Sequence, residues 1–268
     1  SAATAAPMPR EAPVTTATRS RISMALLPFR LARTRPIGLV PHANRRRRRF
    51  IDNRGMPAEL LPLFPLRLVA LPQSAVPLHI FEERYKQMIG LCLAHRTEFG
   101  IVLAEENGIV SIGCTVAIEE VLQRYDDGRL DILCRGRRRF EIEFVDEDKE
   151  YLRAQVSYFD DEDPDSAPLL RMQAISAWEQ AKPLLPDAPD EQPDLASPQL
   201  SFRLGDSVPD LNARQVLLQL RSEEERLKQI VAFFSTYAQR QAQVTHVRRV
   251  APTNGHSKLN GKIPRGND

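Results

Sequence analysis

The sequence predicts an α+β protein in which a small, strongly bent sheet or barrel, built around one early helix, precedes a helical subdomain. Three observations carry this. Leu60 to Tyr85, LLPLFPLRLVALPQSAVPLHIFEERY, joins a proline-punctuated apolar run to the start of an amphipathic helix. Four segments of period-two hydrophobicity, rich in Val, Ile, Leu and Phe, follow in close succession. Beyond the acidic stretch Asp160 to Asp165 the pattern changes to helical spacing.

Taken in order, residues 1–58 hold 12 Arg against Glu11 and Asp52, a balance of +10, whereas residues 59–268 hold 25 Lys+Arg against 33 Asp+Glu, a balance of −8. The first segment is rich in Ala, Arg, Pro and Thr, contains the run Arg45 to Arg49 and lacks periodicity, so it is expected to be disordered. It reads as a basic arm for phosphate backbones, as an acid-poor transit peptide, or as sequence upstream of a later start. Residues 59–165 are expected to form the sheet. Pro62, Pro65, Pro72 and Pro77 each remove a backbone donor, which predicts an edge or wrapping strand with bends and excludes a central one. Phe81, Tyr85, Met88, Ile89, Cys92 and Leu93 fall at helical spacing. They predict a helix over residues 82–96 with that face buried and Glu82 and Glu83 in its first turn, at the positive end of the dipole. Strands are predicted at Phe99 to Ala104, Val110 to Gln123, Leu130 to Val145 and Leu152 to Phe159, with a hairpin turn at Asp127-Gly128.

Residues 166–246 are read as helices. Ser166 and Pro168 start one through Lys182, with Leu169, Gln173, Ile175 and Trp178 on its inner stripe. Pro183 to Pro193 is a linker or surface loop, Ser197-Pro198 starts a helix toward Leu204, and Asn212 caps another through Leu220. Ser222-x-x-Glu225 has the form of a capping box, opening a helix on which Leu227, Ile230, Val231, Phe234 and Tyr237 share a face. Residues 247–268 are expected to be a disordered tail.

The residues themselves offer little chemistry. Cys92, Cys114 and Cys134 are odd in number, with no Cys-x-x-Cys pair, which argues against a disulfide framework or zinc site and fits a reducing compartment. No apolar run reaches the roughly 20 residues of a spanning helix, so no membrane partner is expected. Gly255 to Ile263 is the nearest approach to a phosphate loop, but five residues separate its glycines and Ile263 stands where a magnesium-binding hydroxyl belongs. The Asp160 to Asp165 run lacks the glycine turn and terminal Glu of a calcium loop and is read as solvated. Arg135, Arg137, Arg138 and Arg139 suggest nucleic acid. Their alternation across a strand and the acidic balance of this region favour structural pairing instead. His79 is read as a surface or capping residue, since a catalytic role needs a partner that sets its tautomer.

A resemblance adds to this. Pro62, Leu63, Phe64, Pro65 and Leu66, then Pro77, Leu78, Ile80, Phe81, Glu82, Arg84 and Tyr85, resemble the opening pattern of the Lon N-terminal (substrate-binding) domain family. Gly136 and Arg139-Phe140, Phe202-Arg203-Leu204, Leu217 to Leu220 and Arg226-Leu227 continue it, so the resemblance covers roughly residues 60–236. It begins just after Met56-Pro57-Ala58-Glu59, which favours the later-start reading of residues 1–55. The resemblance implies a PUA-like β-barrel followed by helices, and a stand-alone, bacterial-type member without the ATPase and Ser-Lys peptidase of the full protease.

The expectation is therefore a non-catalytic, cytoplasmic protein that binds unfolded or peptide segments of client proteins, as an adaptor, decoy or chaperone-like holder beside a protease or chaperone. No cofactor and no metal are expected. Clients would lie in a crevice between barrel and helices or along the proline-broken edge. His79, Glu82, Tyr85 and Arg139 are the candidate client-binding residues, chosen for motif match and amphipathic chemistry. A nucleic-acid module is the alternative, and a protease-associated hydrolase has no support in the residues.

Overall fold

The computed structural model describes residues 39–40, 60–186 and 193–250, with side chains described for 60–186 and 193–243. Strand β1 (Leu39–Val40) comes first. It is followed by β2 (Leu61–Leu66), β3 (Ala75–Ile80), helix α1 (Glu83–His95), β4 (Phe99–Glu105), β5 (Gly108–Arg124), β6 (Leu130–Asp146) and β7 (Arg153–Phe159). The helices α2 (Pro168–Ala181), α3 (Leu200–Gly205), α4 (Leu211–Gln219) and α5 (Glu223–Val250) complete the mixed α+β order. Of the basic segment, Leu39–Val40 is described, and it pairs antiparallel with Val110 and Ile109 of β5. The disorder expected for the rest of residues 1–58 and for the end of the tail lies outside the described residues. Helix α5 runs past the expected boundary at Val247.

Sheet order is β1-β5-β4-β2-β7-β6-β3, and β5 also pairs with β6, so β5, β4, β2, β7 and β6 form a closed pairing circuit. Strand β2 is thus flanked on both sides, against the expectation of an edge. The register shows how its prolines are tolerated. The Leu63 N–H reaches the Leu152 carbonyl on the β7 side, 2.8 Å away. By strand alternation Pro62 turns its missing donor toward β4 and Pro65 toward β7. Pairing with β4 begins only at Leu63, and pairing with β7 covers only Leu61 and Pro62. Each proline therefore sits where no partner is waiting. Strand β3, with Pro77, does lie at the edge and pairs with β6 alone.

Gly136 explains itself at a crossing. The loop before β3 passes over β6 there, with the Gln73 N–H donating to the Gly136 carbonyl and the Gly136 N–H to the Ser74 carbonyl, both 2.9 Å. A Cβ at Gly136 would lie 1.9 Å from the Leu71 carbonyl oxygen, so no side chain fits. The hairpin between β5 and β6 turns at Gly128, whose φ of 81° is the left-handed region that glycine enters freely.

Tyr85, Met88, Ile89 and Cys92 bury one face of α1 against the sheet, as the spacing predicts. Phe81 does not join them. The helix starts at Glu83, so Phe81 still obeys the strand alternation that buries Ile80, and its ring is 60% exposed. On α2 the inner face is Ala174, Ile175, Ala177, Trp178 and Ala181, while Leu169 and Gln173 point outward. The cap of α4 is Asp210, whose carboxylate accepts the Ala213 N–H at 2.8 Å, and not Asn212. Ser222 caps α5 through the Glu225 N–H at 3.3 Å.

Sheet and helices meet at a buried ionic cluster. Asp161, 4% exposed, accepts from Arg139 at 2.6 Å and from both Arg226 terminal nitrogens at 2.7 and 2.6 Å. Arg226 also donates to Glu223 at 2.8 Å and to Ser201 Oγ at 2.7 Å, while Arg139 reaches the Leu218 and Leu220 carbonyls. Phe202 stacks under both guanidiniums. Burial alone would raise the Asp161 carboxyl, but the two arginines outweigh it and hold it below its ordinary value. The acidic loop is therefore not wholly solvated. The cluster lies at the junction of sheet and helices, where the client crevice is expected.

Candidate functional site

A groove lies elsewhere, beside the start of α1. Strands β3 and β7 lie on the same side of β6, β3 opposite Leu130 to Arg135 and β7 opposite Arg139 to Asp146. The end of β2 and strand β3 border a gap beside the start of α1. A groove of about 320 Å³ occupies that gap. Phe64, Leu66, Arg67 and Leu68 form one wall, Pro77, Leu78 and His79 the other, and Phe81, Glu82 and Tyr85 close it at the start of α1. Pro77 denies a donor to this gap, because an edge proline turns its donor position away from its partner strand. An incoming strand would find a broken ladder. The groove suits side chains rather than continuous strand addition.

Three of the four sequence candidates meet here. The His79 ring donates Nδ1–H to Asp131 Oδ1 at 2.5 Å, the residue opposite it in the β3–β6 register. Asp131 also accepts from the Tyr125 hydroxyl at 2.7 Å, and these two bonds hold its carboxyl below the ordinary aspartate value. An ionised Asp131 can only accept, which fixes the proton on His79 Nδ1. His79 thus has a tautomer-setting partner that sequence spacing did not show. Its ring stacks with Phe81 at 5.9 Å and meets Tyr125 edge-on. Glu82 is taken up by Arg84, whose terminal nitrogen lies 2.7 Å from Oε2 and whose guanidinium covers the Tyr85 ring. Tyr85 is mostly floor, 5% exposed and packed on Phe64 with ring centroids 4.1 Å apart; burial raises its hydroxyl above the ordinary tyrosine value.

Arg139 is not part of the groove; its guanidinium is fully engaged in the ionic cluster. Its neighbours on β6 are also occupied, Arg135 and Arg137 by Glu119 and Arg138 over the Tyr158 ring. What sequence reasoning missed is Phe81 as an exposed wall, Arg67, and the Asp131–Tyr125 support behind His79. Aligning β3 with β6 as an antiparallel pair would have found Asp131. Among the described residues no group of three or more His, Cys, Asp or Glu is placed to hold a metal ion, and no helix is long and apolar enough to cross a membrane.

The fold and geometry define an α+β domain that carries an apolar, aromatic-walled groove. Residues 60–236 match the family model described as the ATP-dependent protease La (LON) substrate-binding domain, and the chain belongs to that family. The crystal structure of a Lon N-terminal domain protein from Xanthomonas campestris is similar over 66% of this chain and 99% of its own, with 27% identity and a TM-score of 0.54. The Lon protease of Cytophaga hutchinsonii is 24% identical over 140 residues, which are 49% of this chain and 17% of the protease. That of Parabacteroides distasonis is 26% identical over 116 residues, 40% of this chain and 14% of the protease. The chain thus spans under a fifth of the length of these relatives.

Proposed function

We propose that this chain recognises extended, apolar segments of other proteins through the groove between β2 and β3, and carries out no chemistry on them. Membership of the substrate-binding family supports protein recognition in general. The observation that carries the finer reading is Phe81, a large aromatic ring left 60% exposed on the wall of an apolar groove. A groove of about 320 Å³ is at the lower end of ligand-site volumes of about 300–1,000 Å³, which fits one or two large side chains and no folded surface. The closed strand circuit is read as the PUA-like barrel that presents this groove. A single shallow groove supplies no multivalent gain, so affinity is modest, and the chain acts as an adaptor or holder, in the cytoplasm, beside a protease or chaperone.

Titration of the full chain against fluorescent, end-capped extended peptides and a denatured model protein, without nucleotide, tests this. Micromolar binding that Phe81→Ala weakens supports it. No binding at high micromolar concentration, or binding indifferent to Phe81, overturns it.

A further inference from the structure

Resting on that reading, we infer that the groove selects apolar segments flanked by an acidic residue, with Arg67 as the specificity-determining group. The charges around the groove are unequal in availability. Glu82 is matched by Arg84 at 2.7 Å, and Asp131 lies behind His79 and Tyr125, accepting from both. Arg67 is an exposed lining residue to which no ion pair or hydrogen bond is assigned among the described residues. It sits between Leu66 and Leu68, beside the apolar wall, at the end of β2. A segment that seats an aromatic or leucine side chain against Phe81 and Leu78 therefore meets one uncommitted cation and no uncommitted anion.

The occupant that satisfies both features is an internal stretch of chain with a bulky apolar residue next to Asp or Glu. A guanidinium offers a planar pair of donors to a carboxylate, so the contact supplies orientation as well as attraction. A lysine at the same flank would face Arg67 across the groove and be repelled. The preference should be salt-dependent, because Arg67 is exposed and its field is screened within about 8–10 Å at physiological ionic strength.

The test uses the full chain and capped decapeptides that differ only at the residue flanking a central Phe: Asp, Asn or Lys. Capping removes the terminal carboxylate as a competing source of the same chemistry. The Asp peptide should bind about tenfold tighter than the Lys peptide at low salt, with Asn between. Arg67→Glu should reverse the order while leaving the melting temperature unchanged. Equal affinity for the three peptides, or an acidic preference that survives in Arg67→Glu, overturns the inference while leaving the groove reading intact. No binding of any peptide defeats both.

Discussion

Removing the negative charge at the centre of the sheet–helix joint, by Asp161→Asn, should destabilise the protein by about 3–5 kcal/mol. The magnitude follows from what is left behind. Asp161 accepts three charge-assisted bonds, from Arg139 at 2.6 Å and Arg226 at 2.7 and 2.6 Å, and its side chain is 4% exposed. An amide keeps the shape but leaves Arg139 without its hydrogen-bonded counter-charge and Arg226 with Glu223 as its remaining ion-pair partner. For a unit of this size about 2–4 °C of melting temperature accompanies each kcal/mol, so a fall of roughly 6–20 °C is expected. The exposed pair Arg221–Glu162 is the control, and Arg221→Ala should cost no more than about 1 kcal/mol. The pH dependence has a definite sign. The folded Asp161 carboxyl lies below its ordinary value of 3.8, so its contribution is fully present above that value and is lost as pH falls through the folded value. The gap between wild type and Asp161→Asn should be constant from neutral pH to about 5 and close only in strong acid. Chemical denaturation at pH 7 and through the acid range reads this directly. A variant within 0.5 kcal/mol of wild type at pH 7, about the scatter of an ordinary surface change, would refute the account.

Phe81→Ala should leave stability within about 0.5 kcal/mol while weakening peptide affinity by roughly tenfold, since the ring is mostly exposed in the free protein and buried by an occupant; calorimetric melting beside the peptide titration separates the two effects. Gly136→Ala should cost about 1–3 kcal/mol or more, because its Cβ would lie 1.9 Å from the Leu71 carbonyl oxygen, in a loop that two backbone hydrogen bonds tie to Gly136; equal denaturation midpoints would show that the crossing loop yields freely. Cys92, Cys114 and Cys134 are all buried, and burial pushes the Cys114 and Cys134 thiols up to about 12, so a thiol reagent at pH 8 should label none of them faster than the protein unfolds. Rapid labelling of the native chain would place at least one on an accessible path.

The sequence by itself determined the elements that depend on local periodicity. The strands from Phe99 to Phe159, the buried face of α1, the capping of α5 by Ser222 and the buried stripe of that helix all follow from spacing and cap chemistry, because a side chain's burial within a regular element is a function of its phase. Phase fails where one period gives way to another, which is why Phe81, between β3 and α1, was expected inside and lies outside. It also fails for strand order. Counting lost donors placed β2 at an edge, but a central strand can shed a partner on each side in turn, and only the register shows that Pro62 and Pro65 fall in those lapses. The charged residues divide the same way. His79, Glu82 and Tyr85 are close in sequence, so one strand end and one helix start bring them to one groove. Arg139 meets Asp161 and Arg226 only after the helices dock, and Asp131 reaches His79 only through the β3–β6 pairing. Long-range electrostatic partners carry no period and no fixed spacing in the chain, so tertiary structure alone decides which charges are spent in the core and which, like Arg67, stay exposed.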